Sequence, residues 1–523
     1  MADAKHIIKK AVVEVYIPSA DSAFELQGKT LHFFKEKVCP LIEKIASKHS
    51  TDEIIRIDKL ELDIREFNPD DFSDARLAVI EEQIEKQIMK LVAKEKQLDF
   101  SDEILPLVKK ISKEKADEEL FVYLLKTGSL PWWAKTEEKI SLQTLAEKVL
   151  LNPSDSFKQE LTKVLYSSDV RKRVAYKLTS ESAEKIISIV YGSSANILKH
   201  IKQLVGFVKD SEISSEELRV SLYEYVFSYA DISNSTFHVF VSEFVKEKND
   251  FSLIEKLYKI ANKTDVSTNL NKIDDVSQMS VVVKQALANT NEHFSDRIKK
   301  IFSVKDVLLF FDLKESEHIE KEIKDTKKRA ENANEAEQVS VKRKEEELSQ
   351  AASIEEVGDY FIKNAGVIIL APYLSPLFKE LGLFDGKVFI SDEAKERAVY
   401  ILQYLATGEE EVFEEHEMVL NKILCGVGIG APLTLSFVIS EKEKEECLNL
   451  LQAVADNWTA LKGTSRTGMR DAFFMRDGIL EQQANGWNLK IEKTTIDILL
   501  DKLPWGISIL QMPWSKEMIF VNW

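Results

Sequence analysis

The chain has 523 residues, and a soft prior of about 150 residues per domain gives roughly three domains with ample length for buried cores. Lys plus Arg number 71 against 88 Asp plus Glu, a formal net charge of -17, so phosphate backbones and anionic lipid surfaces repel it and polyanion binding is a poor hypothesis. With 44% hydrophobic and 30% charged residues the composition excludes general disorder and suits a helix-rich protein.

Residues 1–100 read as a strand, helix, strand, helix unit. The β-branched run from Ile7 to Ile17 ends at Pro18, and Ser19 or Asp21 then caps a helix through Phe24, Leu31, Phe34, Val38 and Ile42. Pro40 falls inside that pattern and predicts a kink. A second strand is expected from Ile54 to Ile64, with a change of alternation at Asp58 and Lys59 that suits either a β-bulge or an unbulged strand with one mixed face. From Phe72 to about Lys96, Leu77, Ile80, Ile84, Ile88 and Leu91 recur at helical spacing.

Residues 101–313 read as amphipathic helices of ordinary length, separated by signals such as NPSD at 152–155 and NKTDVSTN at 262–269. Between Pro153 and Pro372 there is no proline, and the only glycines are Gly192, Gly206, Gly358 and Gly366. Proline costs about 3 kcal/mol and glycine about 1 in a helix interior, so this stretch is free to be almost wholly helical. Stripes such as Leu218, Leu222 and Val226, or Leu253, Leu257 and Ile260, call for burial, within a helical array or against another protein.

Residues 314–357 form a charged linker. The part from Lys314 to Glu347 has 20 charged residues in 34, too few apolar groups for a core, and suits a solvated helix held by ion pairs or else a flexible connector. Residues 358–523 differ again, holding 13 of the 17 glycines and five of the seven tryptophans. Helices are expected over ERAVYILQYLATG and EEHEMVLNKILCGV, and strands over WNLKIE, GISILQ and MIFVNW. The fold class is therefore mainly α: a helical central region flanked by a small N-terminal α/β unit and a C-terminal α+β domain.

No catalytic constellation emerges. CGVGIGAP at 425–432 follows a helix and lacks both GxGxxG spacing and a GK[ST] ending, so a helix cap and loop is expected rather than a nucleotide loop. Cys39, Cys425 and Cys447 are too scattered for a redox or metal pair and suit a reducing compartment, and Cys425 reads as a structural thiol rather than a partner of His416. The eight histidines include no HExxH, so neither a metal nor another cofactor is expected. Arg466, Arg470 and Arg476 favour structural pairing with carboxylates over anion binding. The N-terminus lacks a signal-peptide core, and no apolar run reaches the roughly 18 to 20 residues of a membrane helix, so synthesis in the cytoplasm is expected. Aromatic residues at rigid turns, Trp132 and Trp133 after Pro131 and Trp505 after Pro504, suit either a cap over a core or an interface anchor. With Trp458, Arg470, Arg476, Trp487, Trp514 and Trp523 they make up the candidate interaction or structural anchors.

Several segments, taken in order, resemble the tape measure proteins of extracellular contractile injection systems, phage-tail-like particles of the antifeeding-prophage and virulence-cassette type. They are HIIKKAVVEVYIP, IIRIDKLELDI, LLKTGSLPWWA, AGVIILAPYLSPLF, RAVYILQYLATGEE, LNKILCG, NWTALKGTS, MRDAFFMRDGIL, LLDKLPWG and the closing VNW. The resemblance implies a non-enzymatic assembly scaffold that occupies the tube lumen and sets inner-tube length. Its implied partners are inner-tube, baseplate or spike, and terminator or cap proteins, with self-association a further way to bury the stripes. Drawn out as one helix at about 1.5 Å per residue, residues 101–355 would reach at most on the order of 380 Å. The alternative is a cytosolic adaptor or chaperone-like protein for injection-system components or cargo.

Overall fold

A computed structural model of the chain describes residues 8, 11–15, 23–48, 53–57, 59–62, 74–94, 108–134, 140–192, 196–207, 215–228, 240, 244, 359–410, 413–434 and 437–523. The expectations for Leu253, Leu257 and Ile260, for NKTDVSTN and for the charged linker lie outside the described residues. Packing divides the chain into two units, residues 1–120 with 131–137, and residues 121–130 with 138–523.

In the first unit α1 (Ala23–Phe33) and α2 (Cys39–Lys48) run on through one π-helical turn, Phe34–Val38. Pro40 explains that turn. It has no N–H to give to the carbonyl four residues back and its ring would collide with it, and the Cys39 N–H instead reaches Phe34 O, five residues back. The predicted kink thus takes the form of a π turn just upstream of the proline. One face of this helical run buries Phe33, Val38 and Ile45 against Ile80, Ile84 and Ile88 of α3 (Asp74–Lys94), the stripe expected from the sequence. Lys44–Glu81 at 3.0 Å and Lys48–Glu85 at 3.3 Å flank that seam.

The strands differ from expectation. Residues 11–15 join no ladder, so the strand predicted over 7–17 is absent among its described residues. The predicted strand over 54–64 is β1 (Glu53–Ile57), and residues 59–62 continue without pairing. The described ladder ends at Ile57, and the change of alternation expected at Asp58 lies outside the described residues. β1 pairs antiparallel with β2 (Val108–Ser112), Ile55 opposite Lys110.

α4 (Lys113–Thr127) follows. In the second unit α5 (Leu142–Val149), α6 (Asp155–Val164), α7 (Ser168–Lys177), α8 (Ser180–Tyr191), α9 (Ile197–Phe207) and α10 (Ser215–Ser228) form a folded array. Ser141, Ser154 and Thr179 cap α5, α6 and α8 by accepting from the backbone N–H groups of Thr144, Phe157 and Ser182. Leu218, Leu222 and Val226 are buried where α10 packs on α7 and α9, so the array itself covers this stripe. Tyr225 meets Phe240 and Phe244 edge-on at 5.8 and 5.3 Å.

Residues 359–523 build a five-stranded sheet in the order β3, β4, β5, β7, β6, covered by helices. The strands are β3 (Tyr360–Ile362), β4 (Gly478–Gln483), β5 (Gly486–Ile491), β6 (Ile509–Gln511) and β7 (Met518–Asn522). β7 lies parallel to β5 and the other pairings are antiparallel. The inward rows, with Leu480, Trp487, Leu489 and Ile519, meet α11 (Ala371–Glu380), α12 (Asp392–Thr407), α13 (Val419–Leu424) and α14 (Glu441–Asn457) in one hydrophobic cluster. α12 runs through that cluster, with Ala398 to Ala406 all buried.

Candidate functional site

Among the described residues of the second unit, the two most deeply buried charges meet on one carboxylate. Arg173 of α7 is 1% exposed and Lys422 of α13 is 0% exposed, both turned onto Glu415. Arg173 donates from Nε to Glu415 Oε2 at 3.0 Å and from Nη2 to Oε1 at 2.8 Å, a two-pronged pairing. Lys422 Nζ donates to the same Oε1 at 2.5 Å. Carbonyls take most of the remaining donors: Leu125 and Lys126 accept from Arg173 Nη1 at 2.9 and 3.1 Å, and Gly430 accepts from Nη2 at 2.5 Å. Ile429 and Ala431 accept from Lys422 Nζ at 2.8 and 2.7 Å.

The Gly-rich run 425–432 is therefore a helix cap and loop, as read from the sequence, but with an added role. It turns carbonyl oxygens, not N–H groups, toward the cluster, so it receives cations where a phosphate loop would receive anions. Gly128 makes the close approach possible. Its φ is +65°, and a Cβ there would lie 2.2 Å from Glu415 Oε1. Around the cluster, Leu142 N donates to Glu414 Oε2 at 3.3 Å and Lys177 Nζ to the Tyr400 hydroxyl at 3.0 Å.

Electrostatics follow from this packing. Burial pushes the Glu415 carboxyl up, but Lys422 and Arg173 beside it more than offset that and hold it below the usual carboxylate value. Burial lowers the Lys422 ammonium to about 8 against the pull of Glu415. Burial also lowers neighbouring His416 to about 4 and raises the Cys425 thiol well above its ordinary value. A wholly buried, protonated thiol is inert as a nucleophile.

The candidate anchors divide between the two units. Pro131 is buried in the first unit, where it opens the 3-10 turn Trp132–Ala134, and Trp132 and Trp133 are half-buried. The Arg56 guanidinium lies 4.2 Å from the Trp133 ring centroid and donates to Glu119 at 2.5 Å. In the second unit every C-terminal indole N–H has an acceptor. Trp458, fully buried, donates to Leu499 O at 3.2 Å, Trp487 to Glu517 at 2.8 Å and Trp505 to Ile369 O at 3.0 Å. Trp514 donates to Leu424 O at 2.9 Å and packs on Phe384 and Phe389, and Trp523 donates to Asp497 at 3.2 Å. Pro504, beside Trp505, is exposed.

Arg470 donates to Leu405 O at 3.0 Å and Arg476 to Asp497 at 2.6 Å, Thr494 at 2.5 Å and Ala472 O at 2.7 Å. Arg476 lines a cleft of about 390 Å³ together with Asp471, Asp477 and Glu492. Three carboxylates around one already engaged arginine do not suit an anion. Among the described residues no group of three or more His, Cys, Asp or Glu side chains is arranged to hold a metal ion, and no helix is long and apolar enough to cross a membrane.

Sequence reading missed Arg173, Glu415, Lys422 and Gly128. Arg173 and Glu415 lie 242 positions apart, and neither stands in a pattern that sets it apart from neighbouring charges. The one local signal was the Gly-rich run itself.

A search of curated proteins and a search of solved structures find no match to the chain. A family model does match, over residues 5–523, and its description is contractile injection system tape measure protein. That family is a structural scaffold concerned with tube length, works with other components of the injection particle and sits within its tube. Spanning essentially the whole chain, the match shows that this protein belongs to the contractile injection system tape measure family.

Proposed function

We propose that the chain sets inner-tube length during assembly of a contractile, phage-tail-like particle. In this reading it lies in the lumen while the tube polymerises, and its folded ends meet the baseplate or spike and the terminating cap. The observation that carries the proposal is the family match over residues 5–523. The layout of the chain supports it: residues before 245 and after 358 supply the described folded parts, and the 114 residues between contain no proline and one glycine, Gly358. Trp132 and Trp133 act as a partner anchor here, whereas the C-terminal tryptophans, with their N–H groups engaged internally, act as pegs of their own domain.

Shortening or lengthening the stretch within 245–358, with tube length measured by electron microscopy, tests the reading. Tubes that shorten and lengthen with the insert are expected. Tubes of unchanged length around a chain carried in normal amounts would overturn it, and unchanged length with lost cargo would favour an adaptor.

A further inference from the structure

Two extended segments of the first unit run without a ladder partner among the described residues. Residues 11–15, AVVEV, are rich in β-branched side chains yet join no ladder, and Val12, Val13 and Val15 are 67%, 47% and 40% exposed. Residues 59–62, KLEL, run on from β1 beyond the end of its ladder with β2 at Ile57, again unpaired. Such side chains on extended backbone are stabilised chiefly when a second strand meets them, and a bare strand edge invites pairing with another chain.

The two sequences fit each other in one alignment. Run antiparallel with Glu14 opposite Lys59, they set Val13 opposite Leu60 and Ala11 opposite Leu62 on one face, and Val12 opposite Glu61 beside the Glu14–Lys59 pair on the other. The first face continues the apolar seam of the unit, because Leu60 and Leu62 already pack against the cluster of Phe33, Ile45 and Ile84. Sliding by two residues sets Glu14 opposite Glu61, and sliding the other way sets Leu62 opposite Lys9. A parallel alignment with Val12 beside Leu60 carries Glu14 onto the leucine face. Charge and apolar pattern therefore favour the same register.

Both segments belong to the same unit and lie near each other without forming a ladder. Glu61, hydrogen-bonded to Lys59, raises the pKa of that ammonium, and Glu14 adds a smaller pull in the same direction. As neighbours on one unit, they can both be satisfied at once by a second copy related by a two-fold rotation, each copy giving one strand and receiving the other. We propose that the chain self-associates by this exchange, residues 11–15 of one copy adding antiparallel to residues 59–62 of another, with Val13 opposite Leu60 and Glu14 opposite Lys59. The occupant is a second copy because the matching charges and the matching apolar row both stand on this chain. The exchange is independent of the tube-length reading above.

The test uses the full-length chain in a Cys39→Ser background, which removes the one cysteine that is not buried. A preparation carrying Val13→Cys is mixed with one carrying Leu60→Cys and oxidised mildly. A disulfide-linked pair of chains is expected from the mixture and not from either preparation alone. Linking no stronger in the mixture than in the separate preparations overturns the exchange. So does a chain carrying both substitutions that closes its disulfide internally and stays monomeric, since the third strand would then be its own.

A second arm reads the register without cysteines. Glu14→Lys and Lys59→Glu should each weaken self-association several-fold in analytical ultracentrifugation, and the two together should restore it. Val13→Pro removes a backbone donor from an exposed segment, so it should abolish association while leaving circular dichroism and melting as in the parent. A parent chain that stays monomeric at every concentration, a charge exchange without rescue, or a Val13→Pro chain that associates as before overturns the proposal. Should Leu60→Cys fail to fold, this arm still decides.

Discussion

At the residue scale the Arg173–Glu415–Lys422 cluster makes sharp demands. Gly128 combines a φ of +65° with a virtual Cβ 2.2 Å from Glu415 Oε1, whereas Gly192, at φ +84°, has nothing within 4 Å. Gly192 has ψ 152°, in a region open essentially to glycine alone, so alanine at 192 should cost that backbone strain only, about 1 to 3 kcal/mol. Alanine at 128 should cost clearly more, because the added carbon displaces the carboxylate that balances two buried cations, and urea unfolding of the pair measures the difference. Acid should act through His416. Burial lowers it from 6.5 to about 4, with Glu415 opposing and Lys363 reinforcing the shift. The unfolded chain therefore takes up a proton that the folded chain refuses, so stability is full above about pH 6.5 and falls as pH drops toward 4. Glu415, held low by its cations, adds a further loss below its ordinary value of 4.5. Melting temperatures between pH 7 and 4 should fall less steeply for His416→Gln than for the parent; parallel slopes would remove His416 from this account.

At the element scale the two groups of tryptophans should behave oppositely. Trp458 is fully buried against Phe473 at 4.8 Å, so Trp458→Ala should lose about 3 to 5 kcal/mol and lower the melting temperature whether or not partners are present. Trp132 and Trp133 are half-buried at a turn, and Trp133 is stacked under Arg56, a contact of about 0.5 to 2 kcal/mol. Their joint replacement by alanine should leave circular dichroism and melting nearly unchanged while reducing particle yield; a large stability loss would make them core instead. These elements also show what a sequence reveals. WNLKIE, GISILQ and MIFVNW betrayed β5, β6 and β7 because alternation and bounding turns are local, and NPSD betrayed the Ser154 cap for the same reason. β3 has only three residues and β4 ends in three polar ones, so their strand character comes from pairing with each other and with β5. Residues 11–15 teach the converse, for a strand-like pattern without a ladder partner is not a strand. The ionic cluster was illegible because its chemistry depends on a contact 242 positions long.

At the scale of the whole molecule, the folded array limits which residues can measure anything. Helices α5 to α10 bury side chains in a shared core, so removing one of them, such as Ser180–Tyr191, deletes Ile186 and Ile187 and should destabilise the second unit rather than shorten a tube in proportion. Length should instead follow changes within 245–358. A helical EAAAK module placed after Thr264, in the polar NKTDVSTN signal, adds about 1.5 Å of reach per inserted residue where helical. Under the tube-length proposal, tube length should rise with the insert, rounded to whole layers of tube. A series of three or more insert sizes, each scored by mean tube length in micrographs, measures that dependence. A length that rises with insert size supports the ruler, and a zero slope with the chain present removes it altogether.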